Sequence, residues 1–92
     1  MTQGEVLLVD DDNAVRTVVA QALRRAGHRV RTAANLAELD RELKLGTPDL
    51  LITDVVLPDG DGIERATRLV TERPDMPLIV LSARNTLATA VR

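Results

Sequence analysis

The chain has 92 residues, 45% of them apolar, and a formal net charge of −2 with acidic and basic residues mixed along its length. These values fit one small globular domain and exclude a basic surface for direct contact with nucleic acid. Because Phe, Tyr, Trp and Cys are absent, aliphatic residues must fill the core, and disulfides and thiolate metal sites are excluded. The first residues show no signal sequence or membrane segment, so a cytoplasmic protein is expected.

The first third of the chain predicts a strand, a helix and a second strand. Residues 5–9 (EVLLV) form a continuous apolar run before three aspartates, which is typical of a parallel strand covered on both faces. A helix follows, with Asp12 or Asn13 as N-cap and Gly27 at its C-terminal end. Its apolar residues at helical spacing are Val15, Val18, Val19, Ala22 and Leu23. Residues 28–34 alternate polar and apolar side chains, which predicts an edge strand.

The same alternation of strands and helices continues to the end of the chain. Asn35 is the predicted N-cap of a second helix, which the Gly and Pro at 46–48 end. The remaining predicted elements are a strand at 49–54, a helix at 62–73, a strand at 78–83 and the start of a helix at 85–92. This order predicts an α/β fold with a parallel sheet, right-handed crossovers and helices on both faces. No linker or repeat marks a domain boundary.

Polar side chains stand at the carboxyl ends of three predicted strands, where ligands bind in open parallel sheets. If the first, third and fourth strands are neighbours, Asp10, Asp11, Asp54 and Ser82 converge. Crowded carboxylates repel one another unless some are protonated or a cation lies between them. Mg²⁺ prefers oxygen ligands and commonly uses one or two carboxylates plus a phosphoryl oxygen, so a Mg²⁺ site is predicted.

The predicted roles in this site differ from residue to residue. Asp11 and Asp54 are direct metal ligands, Asp10 holds a metal-bound water, and the backbone carbonyl of Val56 completes the protein's share. Carboxylate attack on phosphorus is established chemistry for Asp, and Asp54 is the predicted nucleophile. Ser82 is predicted to hydrogen-bond the phosphoryl group on Asp54.

Simpler interpretations exist for each of these residues taken alone. An Asp after a strand is most often a turn former or a helix cap. We interpret Asp12 as such a cap, and Asp59 and Asp61 as turn residues of the loop that follows Asp54. The functional hypothesis therefore depends on the combination at three strand ends, with the sequence LPDGDG after the middle one.

The motifs VDDD, TDVVLPDGDG and LSA, in this order, resemble the receiver domain of bacterial two-component response regulators, most closely the NtrC-like group. The resemblance implies a flavodoxin-like (CheY-like) doubly wound sheet with strand order 2-1-3-4. It implies Asp54 as phospho-acceptor, Asp10 and Asp11 as the acidic pair for Mg²⁺, and Ser82 as the switch hydroxyl. The implied partners are a sensor histidine kinase and the protein's own ATPase and DNA-binding output domains, whose transcriptional activity phosphorylation would switch. Such a domain catalyses only its own phosphorylation and dephosphorylation.

The resemblance also implies a fifth strand and helix, with a Lys at the end of that strand and an aromatic switch residue nearby. Residues 1–92 contain neither these two elements nor the residues that they would carry. Residues 1–92 are therefore expected to be an incomplete receiver domain that ends within its fourth helix. We expect the edge strand at 78–83 to be unpaired and to favour a homodimer or a loosely folded fragment. We also expect the first and third helices to expose apolar surface on the face where the fifth helix would pack.

Three rival functions remain. A phosphatase with an aspartate nucleophile needs a second Asp two residues after the first, where this chain has Val56. A nucleotide-binding flavodoxin-like domain would place Gly rather than three aspartates after the first strand. A receiver-like interaction module without signalling activity is the third alternative.

Overall fold

The computed structural model describes residues 4–81, within which a parallel sheet carries helices on both faces. The strands of this sheet are β1 (Glu5–Val9), β2 (Arg29–Ala33), β3 (Leu50–Asp54) and β6 (Leu78–Leu81). The short strands β4 (Val56–Leu57) and β5 (Gly60–Asp61) form a separate hairpin. The helices are α1 (Asn13–Arg25), α2 (Leu36–Leu45) and α3 (Gly62–Glu72). Ser82 and the predicted helix at 85–92 lie outside the described residues.

The main sheet has the order β2-β1-β3-β6, and all of its strands are parallel. Without the two hairpin strands, β6 is the fourth strand along the described chain. The predicted order 2-1-3-4 and the α/β fold class are therefore confirmed. The prediction that the strand near residue 30 lies at an edge is also confirmed. The β4–β5 hairpin was not predicted, because two residues per strand leave too short a pattern to recognise.

The helices divide unequally between the two faces. Helices α2 and α3 cover one face, whose buried cluster is Leu7, Val9, Ala33, Leu39, Leu43, Leu51, Leu57, Leu69 and Met76. Helix α1 covers the other face, where the buried cluster is Val6, Leu8, Ala20 and Ile52. The expectation that the first and third helices share a face is therefore wrong. Right-handed crossovers running in opposite directions along the sheet lie on opposite faces, and α1 is the only described helix whose connection runs toward β2.

Helix α1 packs on the sheet through a narrower stripe than its sequence predicts. Val19, Ala20 and Leu23 contact the sheet cluster. Val15 and Val18 lie beside that stripe and are 42% and 64% exposed. The apolar spacing predicted the helix correctly, but a single helix lying on a sheet buries only part of so wide an apolar face.

Side-chain caps fix the helix ends near the carboxyl edge of the sheet. Asp12 is the N-cap of α1 and accepts hydrogen bonds from the N–H groups of Ala14 and Val15 at 2.8 and 3.1 Å. Asn35 caps α2, as predicted. Gly27 follows α1 with φ of 99°, a conformation that Gly adopts without steric cost. The Asp12 cap thus starts α1 directly after Asp10 and Asp11 at the end of β1.

Candidate functional site

Three carboxylates meet at the carboxyl edge of the sheet. One oxygen each from Asp10, Asp11 and Asp54 lies within 4.8 Å of the other two. They converge because β1 and β3 are parallel neighbours in register, with Val9 opposite Thr53. The chain thus brings together residues that are more than forty positions apart.

Asp10 is the most buried and most constrained of the three. It is 5% exposed, and its Oδ1 accepts a hydrogen bond of 2.8 Å from the Asp12 N–H. Its backbone N–H donates to the Ala33 carbonyl at 3.1 Å, and its carbonyl accepts a bond of 2.6 Å from the Arg16 guanidinium. Asp11 is exposed in the turn between β1 and α1. The arrangement gives one rigid buried carboxylate beside one that reaches toward solvent.

Asp54 ends the strand between β1 and β6 and is partly buried. Burial raises the pKa of its carboxyl group above the ordinary value of 3.8. The hydrogen bond of 2.7 Å from the Val55 N–H acts in the opposite direction, and the negative charges of Asp10 and Asp11 raise the pKa further. The ionised site therefore carries an electrostatic cost that a bound cation would remove.

The backbone after Asp54 turns sharply toward α3. The Val55 N–H donates to the Leu81 carbonyl at 3.1 Å, and the Gly62 N–H donates to the Val55 carbonyl at 2.7 Å. A Cβ atom at position 62 would lie 2.1 Å from the Asp54 carbonyl oxygen, so only Gly allows this approach. Asp61 then caps α3 through the N–H groups of Ile63 and Glu64.

The tip of the β4–β5 hairpin contacts the start of α2. The carboxylate of Asp59 accepts hydrogen bonds from the N–H groups of Leu36 and Ala37 at 2.8 and 3.1 Å. The bond from Leu36 is the main reason that the pKa of Asp59 lies below its ordinary value. Our interpretation of Asp59 as a plain turn residue missed this contact. No local sequence pattern predicts these hydrogen bonds, because the partners are 23 and 22 positions away from Asp59.

The described residues provide a donor set that suits a hard divalent cation. Asp10, Asp11 and Asp54 offer carboxylate oxygens, which are the ligands that Mg²⁺ prefers. Val56 begins β4, two residues after Asp54. Ser82, which is outside the described residues, directly follows Leu81, and Leu81 pairs with Asp54 in the sheet. Among residues 4–81, none of the helices has the length and hydropathy needed to span a bilayer.

Comparison with known proteins places this geometry in context. Residues 6–92 match the model of the response regulator receiver domain. The DNA-binding transcriptional regulator NtrC of Azospirillum brasilense is 50% identical over 92 residues, which are 100% of this chain and 19% of that protein. The chain therefore spans about a fifth of the length of this curated relative.

Two solved structures show the same fold. NtrX from Brucella abortus superimposes with a TM-score of 0.88 at 28% identity, over 98% of this chain and 20% of that chain. TrrA from Thermotoga maritima, in complex with Mg²⁺-BeF, gives a TM-score of 0.82 at 29% identity, over 89% of this chain and 70% of that chain. The family match spans nearly the whole sequence and agrees with the sheet order and the acidic edge. The chain thus belongs to the response regulator receiver domain family and is similar to the receivers of NtrC-like transcriptional regulators.

Proposed function

We propose that Asp54 accepts a phosphoryl group from the phosphohistidine of a sensor histidine kinase, in a Mg²⁺-dependent reaction that switches a transcriptional output. The observation that carries the proposal is the convergence of three carboxylates within 4.8 Å at the carboxyl edge of the sheet. Three negative charges at this distance favour a divalent cation, and a cation there would also attract a phosphoryl donor. The Mg²⁺ complex of the similar receiver TrrA supports the same choice of metal.

The environment of each carboxylate favours Asp54 as the nucleophile. Asp10 is 5% exposed, so a phosphoryl donor has little access to it, and Asp11 lies in an exposed turn. Asp54 ends a strand that has neighbours on both sides, and the Val55 N–H holds its Oδ1 and orients the carboxylate. Asp11 and Asp54 would ligate the metal directly, Asp10 would hold a metal-bound water, and the Val56 carbonyl would be a further ligand.

The proposed step transfers a phosphoryl group from an imidazole nitrogen of the kinase to a carboxylate oxygen of Asp54. A carboxylate oxygen of Asp54 attacks phosphorus, the P–N bond to the kinase imidazole breaks, and the imidazole leaves with the bonding electron pair and takes up a proton. The product is an acyl phosphate on Asp54. Bound Mg²⁺ would supply charge neutralisation for the phosphoryl oxygens during the transfer.

The proposed output is a shift of a conformational equilibrium. An acyl phosphate adds negative charge beside Leu81, and Ser82 would move to hydrogen-bond it. ATPase and DNA-binding domains like those of NtrC-type regulators would read this change. Association through β6, which ends the sheet within the described residues, is a further proposal, and light scattering of the 92-residue chain would test for a homodimer.

Phosphotransfer from the cognate kinase tests the central proposal. In the presence of Mg²⁺ the wild type should gain a phosphoryl label that hydroxylamine removes, as expected of an acyl phosphate. The Asp54→Asn variant should gain no label. Asp75→Asn is the matched control, because Asp75 is an exposed carboxylate in the turn before β6, at the opposite edge of the sheet. Normal labelling of Asp54→Asn would remove Asp54 as the acceptor.

Beryllium fluoride distinguishes the signalling function from its closest rival. With Mg²⁺, it should shift the amide signals of residues around Asp54 in an NMR spectrum of the wild type. An unchanged spectrum would favour an interaction module that shares the receiver fold but does not switch. The phosphatase alternative predicts turnover of an external phosphomonoester, and Val56 leaves it without the second Asp that such an enzyme uses.

A further inference from the structure

The β4–β5 hairpin carries Val56, whose carbonyl is a proposed metal ligand, but the hairpin is very small. Each strand has two residues, with Val56 opposite Asp61 and Leu57 opposite Gly60. Even longer isolated hairpins are only marginally stable in water. Contacts with the rest of the protein must therefore set the position of the hairpin.

Two kinds of contact hold the hairpin in place. Leu57 is 4% exposed and packs in the core cluster beneath α2 and α3. At the tip, the two carboxylate oxygens of Asp59 each accept a hydrogen bond from α2, one from the Leu36 N–H and one from the Ala37 N–H. Gly60 also approaches α2 closely, since a Cβ atom there would lie 2.5 Å from Cδ1 of Leu36. The hairpin is thus fixed to α2 by its tip and to the core by Leu57.

The start of α2 is a favourable partner for the Asp59 carboxylate. A helix N-terminus presents unpaired N–H groups and partial positive charge, and both favour a carboxylate. The next N–H, from Glu38, donates to Asn35 Oδ1 at 2.8 Å. Helix α2 is therefore capped twice, locally by Asn35 and from the hairpin by Asp59.

We infer that Asp59 is a positioning residue for the metal and phosphoryl site, which ties the hairpin to α2 and so places the Val56 carbonyl before Mg²⁺ binds. This inference rests on the proposed function. Asp59 acts through the hairpin rather than by touching the metal or the phosphoryl group. Loss of the tether would leave the core contacts of Leu57 in place but free the tip, so that metal binding would have to order the loop.

The two caps of α2 provide a matched comparison in the full-length protein. Asp59→Ala removes the tether together with a cap, whereas Asn35→Ala removes a cap and leaves the tether. We expect Asp59→Ala to raise the Mg²⁺ dissociation constant about tenfold, in the range found when groups that orient metal ligands are removed. Asn35→Ala should leave that constant unchanged. Asp59→Asn keeps one acceptor oxygen and should give an intermediate affinity.

Titration calorimetry with MgCl₂ gives the affinities, and labelling with acetyl phosphate gives a second readout. The Asp59→Ala variant should be phosphorylated slowly at low Mg²⁺ and at the wild-type rate at saturating Mg²⁺, because the nucleophile is intact. The amide signals of Leu39 and Leu43, which lie inside α2 and do not bond to Asp59, report whether α2 still forms. If Asp59→Ala does not fold, Asp59→Asn decides the question by the same measurements.

The outcomes separate this inference from the function on which it rests. A wild type that binds no Mg²⁺ and accepts no phosphoryl group would remove the proposed function and this inference together. An active wild type with unchanged Mg²⁺ affinity in the Asp59 variants would overturn the inference alone. Equal losses in Asn35→Ala and Asp59→Ala would also overturn it, since they would show that α2 stability, and not the tether, controls the site.

Discussion

The α2–α3 face of the sheet and its acidic carboxyl edge are held by opposite kinds of interaction. On the face, buried aliphatic residues such as Leu39 and Leu51 pack against one another and stabilise the fold. At the edge, Asp10, Asp11 and Asp54 bring like charges within 4.8 Å, and burial raises the pKa of Asp54. Packing on the apolar face stabilises the folded state, while like-charge repulsion and burial at the edge destabilise it.

This difference supports the proposal that the edge is the functional part of the molecule. Packing accounts for the residues of the face, because each buries apolar surface. Packing does not account for three clustered carboxylates, which a fold would avoid unless a ligand compensated them. Four predictions test the contrast, beginning with the largest expected effect.

Truncation of a side chain on the α2–α3 face should have the largest effect on stability. Leu39 is 1% exposed in the core cluster, so Leu39→Ala should lower the free energy of unfolding by about 3 kcal/mol through lost burial and a cavity. Urea denaturation followed by far-ultraviolet circular dichroism measures this value. A loss below about 1 kcal/mol would show that this face is not the main source of stability.

Mg²⁺ binding should offset the electrostatic destabilisation caused by the three carboxylates at the acidic edge. At ten times its dissociation constant it should raise the free energy of unfolding by about 1.4 kcal/mol, because it binds the folded state only. Thermal denaturation with MgCl₂, compared with NaCl at equal ionic strength, checks the increase. Asp11→Asn should reduce it, and an equal increase in that variant would exclude Asp11 from the ligand set.

Replacement of Asp54 should stabilise the metal-free protein. Because the folded state raises the pKa of Asp54, it binds this proton more tightly than the unfolded state, and stability falls as pH rises from 3.8 through the folded pKa. Asp54→Asn removes that penalty and should add about 0.5 kcal/mol at neutral pH, as for partly solvated charges. Denaturation in EDTA across this pH range would show a smaller decline than in the wild type. An Asp54→Asn variant that is less stable than the wild type at neutral pH would contradict the expectation that the ionised acidic edge lowers stability.

The smallest effect is expected on the α1 side of the sheet. Val18 is 64% exposed beside the stripe that packs, so Val18→Ala should change the free energy of unfolding by less than about 0.5 kcal/mol. The same urea denaturation used for Leu39→Ala measures both variants. A loss near that of Leu39→Ala would contradict the exposed position of Val18.

Local signals in the sequence were sufficient to predict the four strands of the main sheet and the helices α1, α2 and α3. Three of these signals are the apolar run before Asp10, the Asn35 cap and the Gly after α1. Each depends on neighbours only a few residues away, so the sequence alone reveals it. The predicted strand order and the resemblance to receivers also led us to expect Asp10, Asp11 and Asp54 at one site, and the structure brings them together. The roles of these three residues, and those of Val56 and Ser82, remain predictions.

Tertiary structure alone decided which way the helices face and how the loop after Asp54 is held. The direction of each crossover places α3 with α2, and packing on one sheet selects Val19 and Leu23 over Val18 as the buried side of α1. The bond between Asp59 and the start of α2 joins residues that are 23 positions apart. Such contacts depend on the distance between two elements after folding, and no local preference of either segment encodes that distance.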